Sequence, residues 1–189
     1  MDDEVWAKII VMEKESRLAK AYVKTPVVVI DGSNTGFDGV KVGINGLVNG
    51  VTSGDKESAM CKLLIEEGCR LKLTQNGDIL LKRDDNLNIF AFRSKYSKQS
   101  MSDSIVRLPY GLMQKDKTYK LFDMKKFQDH LSQELLTERP DWSSLEKEAA
   151  VMFSFAKFTE DILQAPVWIV IINIVALQVI KTLRDSTHL

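Results

Sequence analysis

Few side chains in this sequence have the chemistry to act on a substrate, and their spacing limits what they can do. His130 and His188 are its two histidines, and Cys61 and Cys69 its two cysteines. A zinc site needs three or four imidazole or thiolate ligands at short spacing, and these residues offer neither a C-x-x-C pair nor neighbouring histidines. His130 falls on the polar side of its predicted helix and is expected to be solvated, as is His188 near a frayed end. Gly54-Asp55-Lys56-Glu57 has the outline of a phosphate loop, but lacks the Gly-Lys-Ser/Thr that places the lysine and the magnesium-binding hydroxyl. Gly43, Gly46 and Gly50 do not make the dinucleotide fingerprint, and no G-x-S-x-G elbow occurs. The carboxylate pairs Asp84-Asp85 and Glu66-Glu67 are sequence neighbours that do not face each other, so they read as surface charge. The chain therefore reads as a non-enzyme with no cofactor and no metal; a buried pocket around His130, Cys61 or Asp84-Asp85 would reopen that reading.

Composition narrows the partners. Lys and Arg number 26 and Asp and Glu 26, for a formal net charge of +0. Proteins that neutralise phosphates carry a basic excess or stripe. Arg93, Lys95, Lys98, Lys115, Lys117, Lys120, Lys125 and Lys126 come nearest to one, but acidic residues interleave them from Asp103 onward. They read as solvated surface, and nucleic acid is not an expected partner. A chain of 189 residues, 44% hydrophobic and 28% charged, can bury one substantial core. The reading is a single domain over 1–189, with residues 1–5 an extension that could form a helical turn. Two cysteines without a framework favour a reducing, cytoplasmic setting. Met1-Asp2-Asp3-Glu4 has the wrong charge for a signal-peptide start, and the apolar run 167–180 contains Asn173 and Gln178 and is too short for a membrane span.

The elements that must position any functional group follow from period and punctuation. Residues 6–12 and 18–23 pair as a hairpin around Lys14-Glu15-Ser16-Arg17, in preference to a helix lined by Val5, Ile9, Ile10, Met12 and Leu18. Val27-Val28-Val29-Ile30 is a strand by β-branching and ends at the turn Asp31-Gly32. A weaker strand at 40–44 leads into Asn45-Gly46 and Asn49-Gly50. A helix is predicted over 55–67, with Asp55 as N-cap, Gly68 at the left-handed C′ position, and a Met60, Leu63 and Leu64 stripe facing the core. Strands at 69–73 and 78–81 flank the hairpin signal Asn76-Gly77. Further strands are predicted at 88–92, 105–108 and 117–122. Asp123 caps a helix with the apolar face Met124, Phe127, Leu131 and Leu135, and the box Ser143-x-x-Glu146 opens another near 145–149. Strands at 153–157 and 166–173 and a helix at 175–183 follow. Many short strands with helices at one end indicate a mainly β fold with α, a β-sandwich with a helical cap.

The loop between the last two strands leaves the end of a buried sheet, where recognition segments sit. Its residues Lys157, Phe158, Thr159, Glu160, Asp161, Ile162 and Leu163 are the candidate partner-binding set; a trimmed surface turn is the plainer reading of the same residues. The helix at 55–67 and the loop before it form the second candidate.

The ordered set Trp6, Val29-Ile30-Asp31-Gly32, Gly68-Cys69-Arg70-Leu71, Gly77-Asp78-Ile79, Ile89-Phe90, Lys120-Leu121-Phe122, Phe127-x-x-x-Leu131, Phe153-Ser154-Phe155-Ala156-Lys157 and Pro166-x-Trp168-Ile169 resembles the MAD homology 2 domain, the C-terminal domain of Smad signal transducers. The resemblance spans roughly residues 6–183. It implies a Smad/forkhead-associated-type β-sandwich, with a three-helix bundle at one end and a loop-helix face at the other, that binds proteins and is not an enzyme. In Smads a phosphorylated Ser-x-Ser tail docks on a basic pocket built partly from the loop after the strand matching 153–157, and trimers form. The family's loop starts Gly-Trp-Gly and carries paired arginines. Here it reads Phe158-Thr159-Glu160-Asp161, is several residues shorter, and has no Arg or Lys after Lys157; the tail 184–189 lacks Ser-x-Ser. Carboxylates repel phosphoserine, which carries about −1.5 to −2 charges. The expectation is a monomer that binds an unidentified protein without a phospho-tail-driven trimer. By resemblance it is a scaffold of the arthropod non-Smad branch associated with apical chitin deposition in epithelial tubes; the alternative is a Smad-like trimerising mediator of TGF-beta-type transcription.

Overall fold

The computed structural model describes residues 4–47, 54–95 and 98–187, so Asn49-Gly50 and His188 lie outside the described residues. In chain order the elements are β1 (Ala7–Glu13), β2 (Ser16–Val23), β3 (Val27–Asp31), β4 (Gly36–Phe37), β5 (Lys41–Gly43), α1 (Lys56–Leu64), β6 (Cys69–Leu73), β7 (Ile79–Arg83) and β8 (Ile89–Phe92). Then come α2 (Asp103–Val106), β9 (Thr118–Phe122), α3 (Met124–Leu135), α4 (Trp142–Glu148), β10 (Ala150–Phe155), β11 (Trp168–Asn173) and α5 (Ile174–Thr187).

The two-residue period of a half-buried strand is plain in β1, where Ala7, Ile9 and Val11 are buried and Lys8, Ile10 and Met12 only half-buried. Two sheets result, one ordered β2-β1-β11-β10-β8 and the other β4-β5-β3-β6-β7-β9. All pairs are antiparallel except β3 with β5. The inner faces meet in one core, in which Ile9, Ile30, Leu71, Leu81, Phe153, Phe155 and Ile171 are fully buried. Burying each such side chain stabilises the fold by about 1.5–3 kcal/mol relative to exposure.

Side chains, rather than helix propensity, fix the helical end. Asp123 caps α3 by accepting from Lys126 N, and Asp78 Oδ1 accepts from the next free amide, Met124 N, at 2.8 Å. Asn173 is fully buried; its Oδ1 accepts from Ala176 N, and its amide donates to Gly77 O at 3.2 Å. That one residue ties the start of α5 to the β6–β7 turn, whose Gly77 holds a φ of 86°.

Several predicted boundaries move. The helix expected over 55–67 ends at Leu64, because Ile65 turns to an extended conformation and drops its side chain into the core. Gly68 is left-handed, with φ 61°, but it opens β6 rather than closing α1; a Cβ there would lie 1.8 Å from Ile30 O. The strand expected at 105–108 is replaced by α2 and a following turn, and Ile105 reaches the core from a helix. The cap of α4 is Asp141, which accepts from Ser144 N, so the Ser143 box is not what opens the helix. Residues 4–6 form no helical turn.

Candidate protein-interaction surface

β10 and β11 pair directly, with Phe153 opposite Ile169, so the segment joining them leaves the end of the buried sheet as the sequence suggested. The exit is forced at Ala156, a non-glycine residue with φ 70°. Its N–H donates to Asn88 O at 2.8 Å, which holds this left-handed turn in place. The chain then presents the seven candidate residues in turn. Lys157 is exposed, and its Nζ lies 3.0 Å from Glu57 Oε1. Phe158 packs at a tilt against Tyr110 and Phe90, with ring centroids 5.0 and 6.3 Å away. Thr159 has its hydroxyl buried without a partner. Glu160 reaches Lys95 at 3.6 Å. Asp161 is spent on structure, since its side chain accepts from Leu163 N and caps the turn Ile162–Gln164.

Lys157 does not stand alone. Lys14 lies 3.0 Å from Asp55 and 3.3 Å from Glu57, so two lysines and two carboxylates from the β1–β2 turn, α1 and the loop form one neutral cluster. Asp55 also accepts from the Ser58 hydroxyl at 2.6 Å and from the Ser58 amide at 2.8 Å. Those bonds, with Lys14, lower its carboxyl to about 2. The Lys157 and Lys14 ammonium groups hold Glu57 below the usual carboxylate range, and the two carboxylates raise Lys14. The loop's only cation is therefore neutralised from within the protein.

α1 stands beside this cluster, and its orientation corrects the sequence reading. Met60, Leu63 and Leu64 were expected to face the core, yet they are 57, 73 and 52% exposed. The buried side is instead Ser58 and Cys61. The ion pairs of Asp55 and Glu57 with Lys14, and of Lys62 with buried Glu13, dock the helix on β1 and the turn after it.

The other chemically capable residues do structural work. His130 is not solvated: its Nδ1 lies 2.8 Å from Glu148 Oε2, and Glu148 is 3% exposed. The Ser100 hydroxyl donates to the same carboxylate at 3.3 Å. A cleft of about 270 Å³ opens beside this trio. The carboxylate sits between imidazole and hydroxyl, so the hydroxyl is given no nitrogen base and the order is not that of an activated nucleophile. Asp85 is not surface charge either; it is buried and accepts from Glu66 N, Gly68 N and Leu87 N, while Asp84 pairs with Arg70 at 2.7 Å. Asn45, read only as part of a turn, donates to Gly32 O and Lys62 O and so staples its loop to α1. Both cysteines are buried; burial, ahead of nearby carboxylates, pushes the Cys61 thiol up to about 12 and raises Cys69 as well. Among the described residues no group of three or more His, Cys, Asp or Glu could hold a metal ion, and no helix is long and apolar enough to cross a membrane.

This architecture has relatives. A sequence model of the MH2 domain matches residues 4–174. The chain belongs to the MH2 domain family. No curated protein matches it. Among solved structures it is similar to the crystal structure of the interferon regulatory factor 9 IAD domain, with TM-score 0.63 and 9% identity over 100% of this chain and 92% of that one. It is also similar to a chain in the crystal structure of STAT2 in complex with IRF9, with TM-score 0.64 and 10% identity over 96% of this chain and 98% of the other. At such identity the likeness is one of fold, and that fold is the Smad/forkhead-associated type of β-sandwich. Domains of the MH2 family are protein-interaction modules.

Proposed function

We propose that this domain is a non-enzymatic scaffold that binds its protein partner as a monomer, through loop residues 157–163, without a phosphoserine docking step. The observation that carries this reading is the Lys157–Glu57 pair, which occupies the loop's one cation, with Glu160 and Asp161 following it. Phosphate recognition favours forked, unpaired donors, and an incoming phosphoserine would have to displace Glu57 while meeting two further carboxylates. The narrower setting, cytoplasmic scaffolding for apical chitin organisation in epithelial tubes, is supported by the order of motifs alone, which resembles the arthropod non-Smad protein Expansion.

Two measurements test the proposal. Light scattering across a hundredfold concentration range is expected to give a constant monomer mass, and a doubly phosphorylated Ser-x-Ser peptide is expected to bind no better than its unphosphorylated form. A threefold mass at high concentration, or micromolar phosphopeptide affinity, would establish the Smad-like trimerising reading instead.

A further inference from the structure

Over β1, β11, β10 and β8 the outer face of the first sheet carries an apolar row that ends at Lys20 on β2, where an antiparallel sheet ordinarily turns polar side chains to water throughout. The registers place Phe92 opposite Met152, Met152 opposite Val170 and Val170 opposite Ile10, so one row of apolar side chains crosses four strands. All four are half-buried, and their strand neighbours point into the core. Ala150 and Ile172 extend the surface in the next row.

Three clefts of about 290, 290 and 380 Å³ open on this face and share walls, Phe92 lining the first two and Ala150 the last two. Together they make a groove along β10 from Ser154 to Ala150, four residue rises or about 13 Å, which continues to Leu177 on α5. Its first cleft is bordered by Tyr110, held at φ 56°, and by Phe158 and Thr159 of the loop. Backbone strain is a feature that gathers where a ligand is received.

Charge sets the sign of the occupant. Lys98 and Lys147 flank the middle of the groove and Lys181 its α5 end, and among the described residues none of the three has a carboxylate partner. The carboxylates on the rim, Glu160 and Glu146, are already paired with Lys95 and with Arg184 at 2.8 Å. A chain of zero net charge thus borders its apolar groove with surplus positive charge.

We propose that this groove receives a segment of a partner protein in which two or more large apolar side chains are flanked by carboxylates. The proposal rests on the reading of the domain as an interaction module and gives it a contact face that starts at Phe158 and Thr159 of the loop and runs on along β10. The apolar anchors fill the clefts over Met152 and Ile172, and the acidic groups meet Lys98, Lys147 and Lys181. An anionic membrane offers the same charge, but a flat bilayer does not follow a groove.

A library of random 16-residue peptides displayed on phage, panned against the folded domain, tests this. Enriched peptides are expected to be net negative with at least two large apolar residues. By fluorescence anisotropy they should bind at least tenfold more weakly to Met152→Glu and to the double variant Lys98→Glu/Lys147→Glu, and unchanged to Lys125→Ala on the exposed side of α3; the loop variant Asp161→Arg/Leu163→Ser is measured alongside. Thermal unfolding confirms that each variant is folded, and Phe92→Ser replaces Met152→Glu if the latter is not. Neutral or basic peptides, or peptides indifferent to the groove variants, overturn the groove; if they respond only to the loop variant, the interaction-module reading survives. An absence of enriched peptides overturns the groove and leaves the interaction-module reading standing, and binding to phosphatidylserine vesicles that Met152→Glu abolishes would then assign the face to a membrane.

Discussion

Lys157 Nζ sits 3.0 Å from Glu57 Oε1, a contact between residues 100 positions apart that ties the β10–β11 loop to α1. Both side chains are about half exposed, so water and salt screen the pair and its net stabilisation is below about 1 kcal/mol. Its effect is on charge rather than on stability.

Glu57→Ala should therefore lower stability by less than about 1 kcal/mol while freeing Lys157 for anions, Lys14 staying paired with Asp55. Affinity for a phosphoserine peptide at low salt, measured by anisotropy, is expected to rise at least threefold. Unchanged affinity would show that the loop rejects phosphate for some other reason.

Asp55 links the same region to pH. Its carboxyl is lowered from 3.8 to about 2 by the Ser58 hydroxyl and amide and by Lys14. A depressed acid stabilises the fold while ionised; that contribution is complete above about pH 4 and is lost as the pH falls toward 2. Asp55→Asn keeps a capping oxygen but cannot ionise. Urea unfolding at a series of pH values should show the wild type ahead at pH 7, with the gap closing between pH 4 and 2. A gap independent of pH would mean that the cap's geometry, not its charge, matters.

The thiols should be inert in the native state. With Cys61 pushed up to about 12 and Cys69 raised further by complete burial, Ellman's reagent at pH 8 is expected to label both at least about a hundredfold more slowly than free cysteine. Labelling should appear with the urea transition. Rapid modification of the folded protein would show that the α1 side of the core opens locally.

At the helical end, His130→Ala leaves the Glu148 carboxylate, 3% exposed, with only the longer Ser100 contact. Loss of a buried partner costs about 1–3 kcal/mol, and Glu148→Gln should cost less because it keeps shape and removes charge. Urea unfolding at pH 7 compares the two. A smaller loss for His130→Ala would mean that this junction is held by packing alone.

Ala156→Gly removes a methyl group from a left-handed residue and should stabilise the domain by up to about 1 kcal/mol, read as a higher thermal midpoint. A lower midpoint would show that packing of the Ala156 methyl outweighs the relief of strain.

Much of the sandwich was legible because strands β3, β10 and β11 are dense in β-branched and aromatic residues and Asn76-Gly77 marks its hairpin directly. The candidate loop was legible as a place but not as a set of contacts, since Glu57, Lys95 and Tyr110 reach it from distant parts of the chain. The stripe Met60, Leu63 and Leu64 was visible, but periodicity reports that a helix has an apolar side, not which side its neighbours cover; the pairs of Lys14 with Asp55 and Glu57 and of Lys62 with Glu13 decided that. Ile105 shows the limit of short apolar runs, which fit strand and helix equally well. Asp85 and His130 were misread for one reason: polar residues are mostly exposed, and nothing nearby in sequence announces three backbone amides or a buried glutamate.

The pairing of β1 with β11, in which Ile9 faces Ile171, makes the first strand a neighbour of the last. During synthesis the opening hairpin must wait, one edge unclaimed, until β11 at Trp168–Asn173 has left the ribosome, and that delay exposes an adhesive edge to other nascent proteins. Truncation before Trp168 would accordingly remove the strand between β1 and β10 and leave no foldable remnant, however much of the sequence survived.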